Sequence, residues 1–168
     1  MQPNGRIRGK AFISFQDPFA DVGEILYFCF AMKSERIYNG IARPGFTPEY
    51  ITQLKADEIF VFGSNLAGMH GGGAAYVALR QFGAKLGQGV GLQGQSYAIP
   101  TMQGGVETIE PYVREFIEFA RAHPELFFYV TRIGCGIAGF RDREIAPLFA
   151  AAKDIPNVCL PESFEAAL

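Results

Sequence analysis

Cysteine and histidine are scarce in this 168-residue chain, and the few present are poorly spaced for chemistry that needs clusters of them. Cys29, Cys135 and Cys159 form neither a CxxC pair nor an even disulfide framework, and His70 and His123 are the only histidines, so no metal-ligand set can be assembled and no metal or cofactor is expected. A reducing cytoplasm is the natural setting for such cysteine usage. Basic charge is short as well. The formal net charge is −2, and the one basic cluster, Arg6, Arg8 and Lys10, falls well below the concentrated patch that nucleic-acid binding uses. Long hydrophobic runs are missing. Ile25 to Met32 is an apolar run of eight, against the roughly 20 residues of a membrane span, and Asp17, Asp21 and Glu24 before it are wrong for a signal peptide. No membrane partner is expected. The Walker spacing and a clean dinucleotide GxGxxG are also lacking, which excludes an ordinary P-loop or Rossmann site.

What is present is a core-forming composition, 49% hydrophobic and 19% charged, of a length that suits one domain. Residues 1–35 read as an N-terminal extension, dispensable or an interface segment, ahead of a domain over residues 36–168. Met32-Lys-Ser-Glu-Arg36 has the look of a translation start, so residues 1–31 are expected to be unnecessary to the core fold.

The domain is organised around the stretch from Phe60 to Arg80. A short apolar run, Ile59 to Phe62, passes into a loop with Gly63, Ser64, Asn65 and Gly68, then into Gly71 to Gly73, then into an Ala-rich helix over residues 73–82 that Gly83 ends. Tyr76, Leu79 and Phe82 recur at helical spacing as its core face. Free N–H groups at a helix N-terminus, approached through glycines, favour an anion. A phosphate-bearing ligand is the expectation.

Upstream, Arg36 to Tyr38 is a short strand, and Thr47-Pro-Glu opens a short helix to Leu54, with an N-cap and a proline at the first helical position. Gly83 to Gly94 holds five glycines in twelve residues and predicts a mobile surface loop, either a lid or a plain connection. Ser96 to Pro100 is a strand and Thr101 to Gly105 the loop leaving it. The helix predicted over 108–122 places Ile109, Val113, Phe116, Ile117 and Ala120 on one stripe, and His123-Pro124 closes it with His123 exposed. Leu126 to Ile133 predicts a central strand buried on both faces, emptying into a second glycine loop, Gly134 to Phe140. Asp142 can cap a helix that Pro147 delays or kinks, and Asn157 to Leu160 is a last short strand. Strands alternating with helices predict an α/β fold, three layers around a mostly parallel mixed sheet, with ligands at the carboxyl ends of the strands where both glycine loops emerge.

With both loops in view, residues 36–161 resemble the macrodomain family, the ADP-ribose-binding α/β/α modules. Gly63-Ser64-Asn65 is similar to that family's Asn-containing turn and Gly71 to Gly73 to its glycine run; the second loop is similar to its diphosphate loop. Arg132-Ile-Gly-Cys-Gly136, with the helix Gly73-Ala-Ala-Tyr-Val-Ala-Leu-Arg-Gln-Phe-Gly83, is nearest to the terminal ADP-ribose-protein glycohydrolase branch, and the whole chain also resembles bacterial and phage-associated macrodomain-like proteins of unassigned role. The resemblance implies binding of ADP-ribose or a related nucleotide, with an ADP-ribosylated macromolecule as a further partner. It implies that the amides of Gly134, Cys135, Gly136, Ile137, Ala138 and Gly139 cradle the diphosphate. Gly71, Gly72 and Gly73 would pass beneath the distal ribose, Ser64 and Asn65 would stand at the turn with Asn65 bonding a ribose hydroxyl, and Phe140 would pack on a sugar face.

The departures bear on chemistry. Gly45-Phe46-Thr47 lacks the acid with which many macrodomains hold adenine, leaving Phe46 to stack on a base or fill the core. The lysine and aspartate of the glycohydrolase branch fall at Met102 and Ala138, so neither an amine for a covalent sugar adduct nor a carboxylate for proton transfer is present there. His70, with Asn65 positioning water, is the remaining catalytic candidate and supports an alternative reading as a hydrolase of ADP-ribose derivatives or another nucleotide. Cys135 is either a reactive thiol or a small support for its loop. Arg132 either meets phosphate or pairs with an acid. A third reading is an assembly protein with a vestigial site, in which the apolar extension makes a homo-oligomer contact.

Overall fold

The structure, a computed structural model, describes residues 35–168. The extension, its apolar run and the start at Met32 lie outside the described residues. A hairpin comes first, β1 (Glu35–Tyr38) and β2 (Ile41–Pro44), closed at Asn39-Gly40. A separate five-stranded sheet follows, built from β3 (Glu58–Ser64), β4 (Gly91–Gln93), β5 (Ser96–Pro100), β6 (Phe127–Val130) and β7 (Val158–Cys159), in the order β4-β5-β3-β6-β7. Only the edge strand β4 runs antiparallel. The fold class is therefore α/β with a mostly parallel mixed sheet, as expected.

The central strands are buried on both faces because they carry apolar residues at successive positions. Ile59 and Val61 of β3 join Tyr97, Ile99, Phe128 and Val130 in one core, which α2 (Val106–Ala122) and a 3-10 helix (Ala146–Ala152) cover. Phe60 and Phe62 point to the other face, where α1 (Gly73–Gln81) lies on them with Ala75 and Ala78 inward. Further along that face Phe127, Tyr129 and Cys159 meet Tyr38, Ile51 and Leu54. The expected stripe of α2 is buried at every one of its five positions. Short helices α3 (Asp142–Ile145) and α4 (Glu162–Glu165) complete the described chain. Among the described residues no helix is long and apolar enough to cross a membrane.

Four local expectations are corrected. No helix forms over 47–54; Thr47 donates both its amide, to Leu160 O, and its hydroxyl, to Cys159 O, which ties this residue to the end of the sheet. Tyr76 is half exposed; α1 buries its small residues, which lets the helix backbone sit close on Phe60 and Phe62. His123, at the C-cap of α2, is half-buried, its ring against Phe119. The glycine-rich segment after Gly83 holds strand β4, so it is not one loop.

The hairpin is joined to the sheet by buried charge. Arg43, buried to 1% exposure, pairs with Asp57 and Glu58, and Glu58 also accepts from Lys55 N at 2.7 Å and the Tyr129 hydroxyl at 3.0 Å. Burial and the Glu58 carboxylate together push the Tyr129 hydroxyl well above its usual value. The Arg43 guanidinium also lies over the Phe127 ring, 4.8 Å from its centroid.

Candidate functional site

Strands β3, β5 and β6 run parallel; β3 and β5 end side by side, Ser64 beside Pro100, and β6 ends at Val130 beside Val61, three residues short of the end of β3. Their following loops leave from the same edge of the sheet, where the Ile137 side chain of the second loop comes close to Gly72 and Gly73 of the first. The result is a cleft of 380 Å³, within the range that holds a nucleotide-sized ligand. Ser64, Asn65 and Gly71 to Gly73 line one side, Gly134, Gly136, Ile137 and Ala138 the other, and Thr101, Met102, Thr131 and Arg132 the base and edges.

The first loop is held by its own side chains. Asn65 closes it on itself, its amide donating to Met69 O at 2.9 Å and accepting from Met69 N at 3.0 Å. Ser64, buried, donates to Gly89 O at 2.8 Å. His70 is also buried, its Nε2 lying 3.0 Å from Lys85 O and 3.1 Å from Gln88 O, with its ring edge-on to Phe62. Two carbonyl acceptors at Nε2 require the proton there, and Nδ1 has no partner among the described residues. The imidazole thus fastens the segment after α1 to the loop and is not among the cleft-lining groups. That segment is a packed support: a Cβ on Gly68, whose φ is +65°, would come 2.3 Å from Gln88 N, and one on Gly89 would come 2.0 Å from Asn65 O. The glycines there permit backbone to lie on backbone, which corrects the expectation of a mobile loop.

At Gly72 the chain enters α1 with no side-chain cap. The amides of Gly73, Ala74 and Ala75 therefore start the helix without an acceptor among the described residues. The second loop repeats the situation by other means. Cys135 N bonds Arg132 O, Gly139 N bonds Gly136 O and Phe140 N bonds Gly134 O, which folds the loop tightly and leaves the amides of Gly136, Ile137 and Ala138 without acceptors among the described residues. Gly134 has φ +76°, and a Cβ there would press on Ile145 and Phe140 at 3.2–3.3 Å. Phe140 consequently packs beneath the loop, against the core, rather than in the cleft.

Of the residues expected at the site, Ser64, Asn65, Gly71, Gly72, Gly73, Gly134, Gly136, Ile137 and Ala138 come together around the cleft. His70, Cys135, Gly139 and Phe140 are not among the lining residues. Neither is Phe46. Thr101 and Thr131 escaped sequence reasoning, although each stands one residue beyond a parallel strand, a position that signals a cleft wall. Met69 also escaped it. With Met102 and Ile137 it forms an apolar rim, the three side chains being 66%, 52% and 73% exposed.

Arg132 is the one charged residue among the cleft-lining residues described. It forks onto Asp142, Nε to Oδ1 at 3.1 Å and Nη2 to Oδ2 at 2.7 Å, and Ser163 donates to the same Oδ1 at 3.2 Å. The guanidinium holds the Asp142 carboxyl below its usual range. Burial, with Asp142 nearby, pushes the Cys135 thiol up to about 12, so at neutral pH this sulfur is a thiol that supports the loop and not a nucleophile. Among the described residues no group of three or more histidine, cysteine or carboxylate side chains is placed to hold a metal ion.

No protein-family model, no curated protein and no solved structure matches the chain. What the fold and the site define is accordingly a class: a mostly parallel α/β domain with a glycine-walled cleft at the carboxyl ends of its central strands.

Proposed function

We propose that this is a three-layer, macrodomain-like protein that binds ADP-ribose or a closely related nucleoside diphosphate sugar in the cleft between its two glycine loops. One observation carries the reading. Two separate sets of backbone amides, Gly73 to Ala75 and Gly136 to Ala138, belong to residues that line a common cleft and have no acceptors among the described residues. Amides arranged at a helix start and in a compressed loop suit an anion with several oxygens, and a diphosphate is long enough to engage both. The cleft volume suits the remainder of a dinucleotide-sized ligand.

Binding without turnover is favoured over hydrolysis. The cleft-lining residues described include no carboxylate, imidazole or amine, and Met102 and Ala138, where the resembled glycohydrolases carry their lysine and aspartate, both line the cleft with apolar side chains. General acid–base catalysis requires a titratable group within reach of the reacting atom.

Thermal denaturation with ADP-ribose, ADP and NAD tests the reading. A ligand present at 100 times its dissociation constant stabilises the native state by about 2.7 kcal/mol. A concentration-dependent rise with ADP-ribose, abolished in Gly136→Glu, supports the proposal. Gly136 suits this test because its Cβ would meet nothing within 4 Å, so the fold accepts the side chain while the carboxylate occupies the anion's place. An unchanged transition with all three ligands refutes it.

A further inference from the structure

Arg132 lies at the foot of the second loop, two positions before Gly134, and its side chain is 60% exposed while that of Asp142 is 25% exposed. A solvent-facing ion pair of this kind contributes little to stability, since water already satisfies both ions and salt screens them. Yet the pair is held from several sides. The fork occupies Nε and Nη2, and Ser163 on α4 donates to the carboxylate. This is more fixing than a surface pair requires for its own sake. It sets the plane of the guanidinium and leaves the Nη1 edge with no partner among the described residues, on a residue that lines the cleft.

We propose that Arg132 is the side-chain clamp of the cleft, taking a phosphate oxygen of the ligand with its Nη1 edge, and that Asp142, backed by Ser163, is the positioning residue that holds the guanidinium for it. The inference rests on the reading of the cleft as a diphosphate site and adds to it the one charged contact. Backbone amides recognise an anion by geometry; the free Nη1 edge of the guanidinium adds charge-assisted donors, which favours an anionic diphosphate over a neutral ligand. A free arginine side chain would have to be ordered at the moment of binding, and the fork on Asp142 has done so beforehand. The arrangement also explains why the cleft tolerates an apolar rim. Charge recognition is concentrated at one end, beside Gly134 to Ala138, and Met69, Met102 and Ile137 are left for the uncharged parts of the ligand.

Isothermal titration of the full chain with ADP-ribose, at two or more salt concentrations, tests this in wild type, Arg132→Gln, Arg132→Lys, Asp142→Asn and the double variant. Arg132→Gln should weaken binding about ten- to hundredfold, the range for losing a charge-assisted hydrogen bond, and should flatten the salt dependence. Arg132→Lys should recover the salt dependence and only part of the affinity, since it keeps the point charge and loses the fork. Asp142→Asn should weaken binding several-fold in the wild-type background and have no effect when Arg132 is already glutamine, because its influence runs through that side chain. Unaltered affinity and salt dependence in Arg132→Gln would overturn the clamp. Tighter binding in Asp142→Asn, or a loss of equal size in both backgrounds, would overturn the positioning role. Absence of binding by the wild type is a different failure, that of the diphosphate reading itself.

Discussion

Replacing Glu58 with alanine removes the acceptor on which three donors converge, and its cost can be worked from their geometry. The Arg43 guanidinium loses one of its two carboxylates, Lys55 N loses an acceptor at 2.7 Å and the Tyr129 hydroxyl one at 3.0 Å, all around a side chain that is 7% exposed. Nε of Arg43 already has no partner, so the loss leaves a second unpaired donor on the buried guanidinium. A buried donor left unpaired costs about 1–3 kcal/mol, and breaking a buried ion pair about 3–5 kcal/mol. Asp57 remains on Nη2 with its side chain 31% exposed, so the charge is not stranded and the full ion-pair penalty does not apply; three donors left unpaired near the low end of their range come to about 4 kcal/mol. For a domain of this size that corresponds to a fall in Tm of about 10 °C. Denaturant unfolding followed by far-UV circular dichroism measures it, with Glu110→Ala as the control: its pair with Arg114 is solvent-facing, and its loss should cost less than about 0.5 kcal/mol. A cost for Glu58→Ala no larger than the control's would refute the claim that buried charge joins hairpin to sheet.

Other expectations follow from single groups. Asp142 titrates below the ordinary carboxylate value in the folded state, so its contribution to stability is complete above an unfolded pKa of about 3.9 and is lost as pH falls through the lower, folded value. Carboxyl NMR should show that depressed midpoint, and in Arg132→Gln the midpoint should move up. Cys135 should resist alkylation at pH 8 in the native protein and react on unfolding, read by site-resolved mass spectrometry; rapid native labelling would contradict a thiol pushed up to about 12. His70→Ala removes the imidazole that holds Lys85 O and Gln88 O, so amide exchange across residues 84–90 should accelerate while α2 stays protected. Equal exchange in the two proteins would show that the segment is held by something else.

The parts of the fold that were legible in the sequence are those whose signal is repeated. Five stripe residues over about three turns identify α2, and successive apolar positions identify β3, β5 and β6. The capping signal at 47–54 does not produce a helix because such a signal is local, and Thr47 donates its hydroxyl to Cys159 O at the β7 end, more than a hundred residues away. The segment after Gly83 was misread for a related reason: glycine permits both mobility and close packing, and only the distance from Gly89 to Asn65 O tells them apart. At the site, the loops themselves were visible as glycine runs at strand ends. Which side chains were already engaged was not, since Asn65, His70 and Cys135 are accounted for by partners that composition does not reveal. Sequence alone leaves Arg132 between phosphate and acid; the structure shows it on the acid with an edge to spare.

The central claim, that two sets of unpartnered amides receive one ligand, is tested most directly by amide NMR during titration with ADP-ribose. The resonances of Gly73 to Ala75 and of Gly136 to Ala138 should shift together, with one binding isotherm, while Cys135 and Gly139, whose amides are already bonded to Arg132 O and Gly136 O, move far less. Shifts confined to one loop, shifts elsewhere on the domain, or none at all would contradict it.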